Sequence, residues 1–324
     1  MRCPTSAVAL AGLLLAGCGT WSNEDIRFLE ALPTSQELRV EVPASAAPLA
    51  AAEGRLLAVG PAACGPLGDA ETWLWAKPTS DRLNASVEWV IGLVDVVRRY
   101  PPTSRLDDGR VWGPFDDDQH PGNELRVVIR RSWPAGLDGP VVHDYAFEAR
   151  RKDGVSPFGP ILSGTFVGPS ALRGRGGLVL DFDEIWRLGM ADPDAPHGEM
   201  RVEYDREADP RRVALRLAQS PGFGLAQFDY GFTGYGDGRG RLSYAFESGA
   251  GDRAEVAAGF DAVGAGEADV RYFPAVLAGG SVGFRQCWNA AACLVYSDDV
   301  NGYSCGGASC AGGLPSDCPV VPAP

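Results

Sequence analysis

The sequence predicts a mainly β protein. The expected form is a long antiparallel meander of about a dozen strands, making a curved sheet or half-barrel with one long buried helix (81–100) and a short N-terminal helix. Three observations predict it. From about residue 109 to 297 apolar residues recur at every second position. The segments that show this are joined by short turns such as Lys152-Asp153-Gly154, Gly236-Asp237-Gly238 and Ser248-Gly249-Ala250-Gly251, which force sequential antiparallel pairing. Only one long stretch has the helical period instead.

Taken in order, Ser22 stands three residues before Asp25, as in a capping box. Ile26, Phe28, Leu29 and Leu32 follow, so a short helix is expected over 23–31, ended by Pro33. Glu37 to Val42 alternates polar and apolar and reads as a strand. Residues 43–68 are rich in Ala, Pro and Gly and read as a loop containing Cys64. In 81–100, Leu83, Val87, Val90, Ile91, Val94 and Val97 share one side of a helix. Trp89, Leu93, Val96 and Tyr100 make a second apolar side, leaving a polar stripe through Asn84, Glu88, Asp95 and Arg98 or Arg99. Pro101-Pro102 stops it. Such a helix needs cover on more than one side, and the concave side of a curled sheet would supply it.

Strands follow at Leu125-Val127-Ile129, Tyr145-Phe147-Ala149, Leu178-Leu180-Phe182 and Met200-Val202-Tyr204. The alternation recurs at Val213-Leu215-Leu217, Phe228-Tyr230-Phe232, Leu242-Tyr244-Phe246 and Val256-Ala258-Phe260. It returns at Val270-Tyr272, Val282-Phe284 and Leu294-Tyr296. One insertion breaks the rhythm: residues 183–188 read as a single helical turn closed by Gly189, followed by a Pro-containing loop from Asp192 to His197. After Asp298 the chain is rich in Gly, Ser and Cys.

Composition narrows the function classes. An apolar content of 45% and a charged content of 22% belong to a globular chain. The net charge of −13 argues against nucleic acid as a partner, because phosphate binding wants a basic face. Cys64, Cys287, Cys293, Cys305, Cys310 and Cys318 are an even set of disulfide candidates. Cys287 with Cys293, which flank an expected hairpin, is one plausible bridge. With no C-x-x-C pair and no histidine nearby, a zinc site is not expected.

The N-terminus carries an address. Arg2 precedes an apolar run from Ala7 to Ala16, and Leu15-Ala16-Gly17 stands directly before Cys18. The run is too short to span a bilayer. This stretch resembles the lipobox of bacterial lipoproteins. The resemblance implies cleavage before Cys18, palmitate and diacylglycerol on Cys18, and a membrane partner through that anchor. It also implies residence in the cell envelope. Gly19, rather than Asp, follows the cysteine and by analogy permits passage to the outer membrane. The expected organisation is a signal peptide over 1–17, a tether and short helix over 18–36, a single antiparallel domain over 37–297, and a tail over 298–324.

Motifs for chemistry are weak. Gly279-Gly280-Ser281-Val282-Gly283 matches G-x-S-x-G, but a nucleophile elbow needs a helix after it and a strand is expected. Asp116-Asp117-Asp118-Gln119-His120 lacks the spacing of a calcium loop. Asp192, Asp194 and His197 form a similar cluster, as do Asp298, Asp299 and Asn301. His143 and Asp144, as strand neighbours, point to opposite faces, whereas Asp181 and Asp183 would share one. No catalytic residue, metal or cofactor is expected.

The stretches Gly177–Asp183, Gly198–Asp205 and Cys287-Trp288-Asn289 resemble a pattern in uncharacterised predicted lipoproteins of Gram-negative bacteria. A meander over an apolar helix is also similar to the half-barrel of periplasmic lipoprotein carriers, by fold-level analogy alone. The expected function is a lipid-anchored, non-enzymatic scaffold or binding domain with an unknown protein or lipid ligand. The alternatives are a lipid or lipoprotein carrier with an apolar cavity between sheet and helix, and a hydrolase.

Overall fold

The structure is a computed structural model. It describes residues 21–40, 42–43, 64, 66–70, 72–74, 76, 80–81, 84, 87–88, 92, 95, 97–136, 138–191, 197–208, 210–220, 225–248, 251–275, 280–302 and 311–321. The Leu15-Ala16-Gly17-Cys18 stretch lies outside them, as do Cys305 and Cys310.

Ser22 accepts the Asp25 N–H, and the Asp25 carboxylate accepts the Ser22 N–H, so the capping box forms and starts α1 (Asn23–Glu30). The expected strand over 37–42 is not formed. Thr34 and Glu37 make a second capping box, and the chain turns into the short helix α2 (Ser35–Leu38). Local capping here overrides an alternation too short to fix a strand.

Among the described residues, fifteen strands make one antiparallel sheet in strict sequence order. They are β1 (Ser104–Arg105), β2 (Gly109–Asp116), β3 (Asn123–Ser132), β4 (Val141–Arg151) and β5 (Gly159–Ser170). Next come β6 (Arg173–Asp181), β7 (Glu199–Asp205), β8 (Arg211–Ser220), β9 (Leu225–Gly234) and β10 (Gly240–Ser248). The last are β11 (Arg253–Phe260), β12 (Gly266–Phe273), β13 (Val282–Trp288), β14 (Leu294–Ser297) and β15 (Gly312–Gly313). Between β6 and β7 the expected helical turn is present as α3 (Phe182–Arg187), closed at Gly189 with φ +70°.

The half-barrel is not formed. β1 pairs with β2 and β15 with β14, and the two edges do not meet, so the ladder stays open. Both edge strands are two residues long, which blunts the edges against pairing with each other or with another chain. The long enclosed helix is corrected as well. Most of 81–100, including Trp89, Val90, Ile91, Leu93, Val94 and Val96, lies outside the described residues, and no long buried helix is described there. The residues that are described between 72 and 97 are helical, but Asn84, expected in the polar stripe, is buried. Its side-chain amide accepts the Val40 N–H and donates to the Val40 carbonyl, both at 2.8 Å.

The apolar face of the sheet is instead covered piecewise. Phe28 of α1 meets His143 edge-on at 6.0 Å. Trp73 stacks on Trp288 at 5.3 Å and tilts against Phe260 at 5.5 Å. Ser80 shares a hydrogen bond with the buried Tyr230 hydroxyl at 3.0 Å.

Among the described residues, two disulfides close the far edge. Cys64 is bonded to Cys293 and Cys287 to Cys318. The expected Cys287–Cys293 pairing is therefore wrong. In β13 Cys287 pairs in register with Tyr296 of β14, while Cys293 sits in the turn before β14, where Asp69 bridges to it from the segment after Cys64. The C-terminal segment expected as a tail supplies β15 and a 3-10 turn at Pro315–Asp317.

Candidate functional site

The polar face of the sheet carries a run of shallow depressions. Cavities of about 620, 840 and 890 Å³ adjoin one another from β3 to β12, sharing Glu203, Ala214, Gly231 and Ser243 among their linings. Strand alternation explains the construction. Ala214, Gly231, Ser243 and Ala257 lie in register on the consecutive strands β8 to β11 and leave a low floor. Longer residues one step away along the strands make one wall, Arg201, Arg216, Asp229, Glu255 and Arg271, and Asp269 on β12 ends the floor row beside Ala257.

These residues carry both charges, and neighbouring strands match them. Arg216 pairs with Asp229 across β8 and β9. Further along, Arg126 pairs with Glu148 and Arg150 with Glu124 across β3 and β4. Opposite charges on facing strands support the ladder and keep the face wet.

A second polar cluster is buried on the opposite face, beneath α1. Asp25 is fully buried. It accepts from Arg110 Nε at 2.6 Å and from Arg105 Nη2 at 2.9 Å. Burial alone would raise its carboxyl pKa; the hydrogen bonds from Arg105, Ser22 and Arg110 outweigh that and hold it well below the usual carboxylate range. Glu24 pairs with Arg131 of β3. At the other end of α1, Arg206 donates to the Glu30 carbonyl at 2.7 Å and the Leu32 carbonyl at 2.9 Å, and pairs with Glu37. Its guanidinium lies over Phe166 at 4.5 Å. Arginines thus clamp both ends of α1 to the sheet.

His143 sits between these clamps, 3% exposed, and its Nδ1 has no hydrogen-bond partner among the described residues. Burial and the nearby Arg131 charge push its pKa down to about 4. The cluster ties α1 to the sheet.

The sequence candidates scatter. His143 and Asp144 do face opposite ways: Asp144 accepts from Thr165 on the polar face. Asp181 and Asp183 do not share a strand face, because the strand ends between them. Asp181 caps α3 by accepting the Glu184 N–H, and Asp183 accepts from Gly198 N and lies 3.1 Å from His197 Nδ1. Asp117 organises its own turn, accepting from Gln119 N and His120 N; Asp116 pairs with Lys152. Asp298 accepts the Arg285 N–H and Asp299 is buried, so they turn the chain after β14. Asp192, Asp194 and Gly279 lie outside the described residues. Ser281 is followed directly by β13, so the G-x-S-x-G match forms no elbow. Cys64, Asp69 and Cys293 come together closely enough for a metal, but both sulfurs are spent in the disulfide.

Sequence reasoning missed the clamp: it did not single out Arg110, Arg131 or Arg206. The only available signal was that Arg110 and Arg131 fall in phase with the apolar set of their strands, beside Trp112 and Ile129. Comparison with family models, with curated proteins and with solved structures finds no match.

Proposed function

We propose that this chain is a non-enzymatic lipoprotein of the cell envelope, anchored through Cys18 in the outer membrane, whose open sheet presents its polar face as a binding surface. The observation that supports it best is the continuous depression from β3 to β12, floored by small residues and walled by both charges. The Leu15-Ala16-Gly17-Cys18 stretch supports the anchor. The carrier alternative needs an apolar cavity within a half-barrel. Among the described residues the ladder is open, and Phe28, Leu32, Leu38 and Trp73 pack the apolar face.

Two measurements test this reading. Cys18→Ser should abolish palmitate labelling and release the protein from membranes; a variant that still labels and still sediments with them refutes the anchor. Carboxyl footprinting should find Glu203, Asp229, Glu255 and Asp269 less reactive in intact envelopes than in the purified chain. Equal reactivity refutes the binding surface.

A further inference from the structure

The chain between the anchor and the fold is very short. Five residue steps separate Cys18 from Asn23, the first residue of α1. Fully extended they reach at most about 18 Å. Fifteen strands spaced about 4.8 Å apart extend roughly 65 Å along the ladder. The tether is therefore much shorter than the object it holds.

That object is not free to swing on a loose helix. Asp25 with Arg110 and Arg105 fixes the first turn of α1 to β1 and β2, and Arg206 fixes its last carbonyls to the turn after β7. The place where the tether enters is thus a fixed point, at the end of the sheet formed by the β1–β2 and β3–β4 turns. Exposed apolar side chains gather there. Trp21 is 38% exposed, Ile26 on the outer side of α1 44%, and Leu106 in the β1–β2 turn 39%. Arg110 donates to the Leu106 carbonyl, which ties that turn to the same clamp. Trp and aliphatic side chains of this kind suit the boundary between headgroups and acyl chains. Charge is not the cause of attraction, since the net charge of −13 disfavours an anionic surface.

We infer that the N-terminal end of α1, with Trp21, Ile26 and the Leu106 turn, is held against the lipid headgroups of the bilayer, and that the opposite ends of the strands, with the β4–β5 turn, stand away from it. This rests on the lipid-anchor reading of Cys18. The polar face then runs outward from the membrane, where a partner can reach it.

The test uses the full lipidated chain in vesicles of phosphatidylethanolamine and phosphatidylglycerol. Trp21, Ile26, Leu106, Val155 and Val300 are replaced one at a time by p-benzoylphenylalanine and irradiated. All five are exposed, so the replacements leave the core intact. Val155 lies in the turn at the opposite end of the strands, and Val300 follows β14. Lipid adducts are expected at 21, 26 and 106, with none above the unirradiated background at 155 and 300. Adducts at all five positions, or at 155 and 300 alone, overturn the orientation. Flotation of the vesicles reads the anchor separately. Protein that floats but labels in the wrong pattern refutes the orientation alone; protein that carries no lipid and does not float refutes the anchor and the orientation with it.

Discussion

Replacing Asp25 by Asn should unclamp α1. The side chain is fully buried, and its nearest partner, Arg110, is 7% exposed. Asn keeps the volume and can still accept the Ser22 N–H, so the change removes charge and little else. Arg110 would retain the Leu106 and Gly109 carbonyls, at 2.9 and 2.7 Å, but no counter-charge. A buried pair broken at one partner costs about 3–5 kcal/mol. The assay is urea unfolding followed by tryptophan fluorescence at neutral pH, with the free-energy change taken from the midpoint shift at constant slope. Arg201→Ala, which breaks an exposed pair with Glu199, is the control and should cost under about 1 kcal/mol. Asp25→Asn with Arg110→Met removes both charges and should be more stable than Asp25→Asn alone. The pH dependence has a definite sign. The Asp25 carboxyl is depressed in the folded state, so its stabilisation is complete above the ordinary value of 3.8 and is lost as pH falls through the lower folded value. The Asn variant should lose less stability than the parent over that acid range. A cost below about 1 kcal/mol at neutral pH, or a double variant no more stable than the single, would refute the clamp.

Three further outcomes are expected. His143 is held neutral by burial, with its pKa pushed down from 6.5 to about 4; the unfolded chain therefore takes up the proton first, and stability should fall by up to about 3 kcal/mol as pH drops from 6.5 to 4, a decline that His143→Phe should lack in the same urea series. Gly164→Ala and Gly176→Ala would each place a Cβ within 2.2–2.3 Å of the buried Tyr145 and Tyr204 rings and should cost about 1–3 kcal/mol, whereas Gly122→Ala meets nothing within 4 Å and should melt like the parent. Peptide mapping of the non-reduced protein should recover Cys64 joined to Cys293 and Cys287 joined to Cys318; a Cys287–Cys293 peptide would contradict the structure. Reducing the first, whose loop spans 229 residues, should destabilise more than reducing the second, which spans 31.

Much of the fold was legible because strand alternation is a local pattern. The dry residues from Leu125 to Tyr296 could be read off at period 2, and short Gly- and Asp-containing turns dictated that each strand pairs with the next. β5 was missed, since Gly159, Pro160, Gly164, Gly168 and Pro169 interrupt its apolar signal. Gly164 is there for a reason that only its neighbour reveals: the Tyr145 ring lies where a side chain would be. Phe182 was placed on a strand because it continues the alternation, whereas Asp181 capping Glu184 ends the strand one residue earlier.

By itself the sequence determined the antiparallel order, the wet and dry faces, the capped start of α1, and the stretch before Cys18 that carries the anchor reading. Each rests on residues within a few positions of one another. Tertiary structure decided the rest. Whether a long ladder closes depends on whether its two edges meet, and β1 and β15 are some 200 residues apart in the chain. Which cysteines pair depends on Asp69 reaching Cys293 and on the chain end returning to β13. Arg110, Arg131 and Arg206 became a clamp only when α1 brought Glu24, Asp25 and its C-terminal carbonyls over them. A charge in phase with a buried face is unfavourable until a distant partner neutralises it, and local pattern cannot supply that partner.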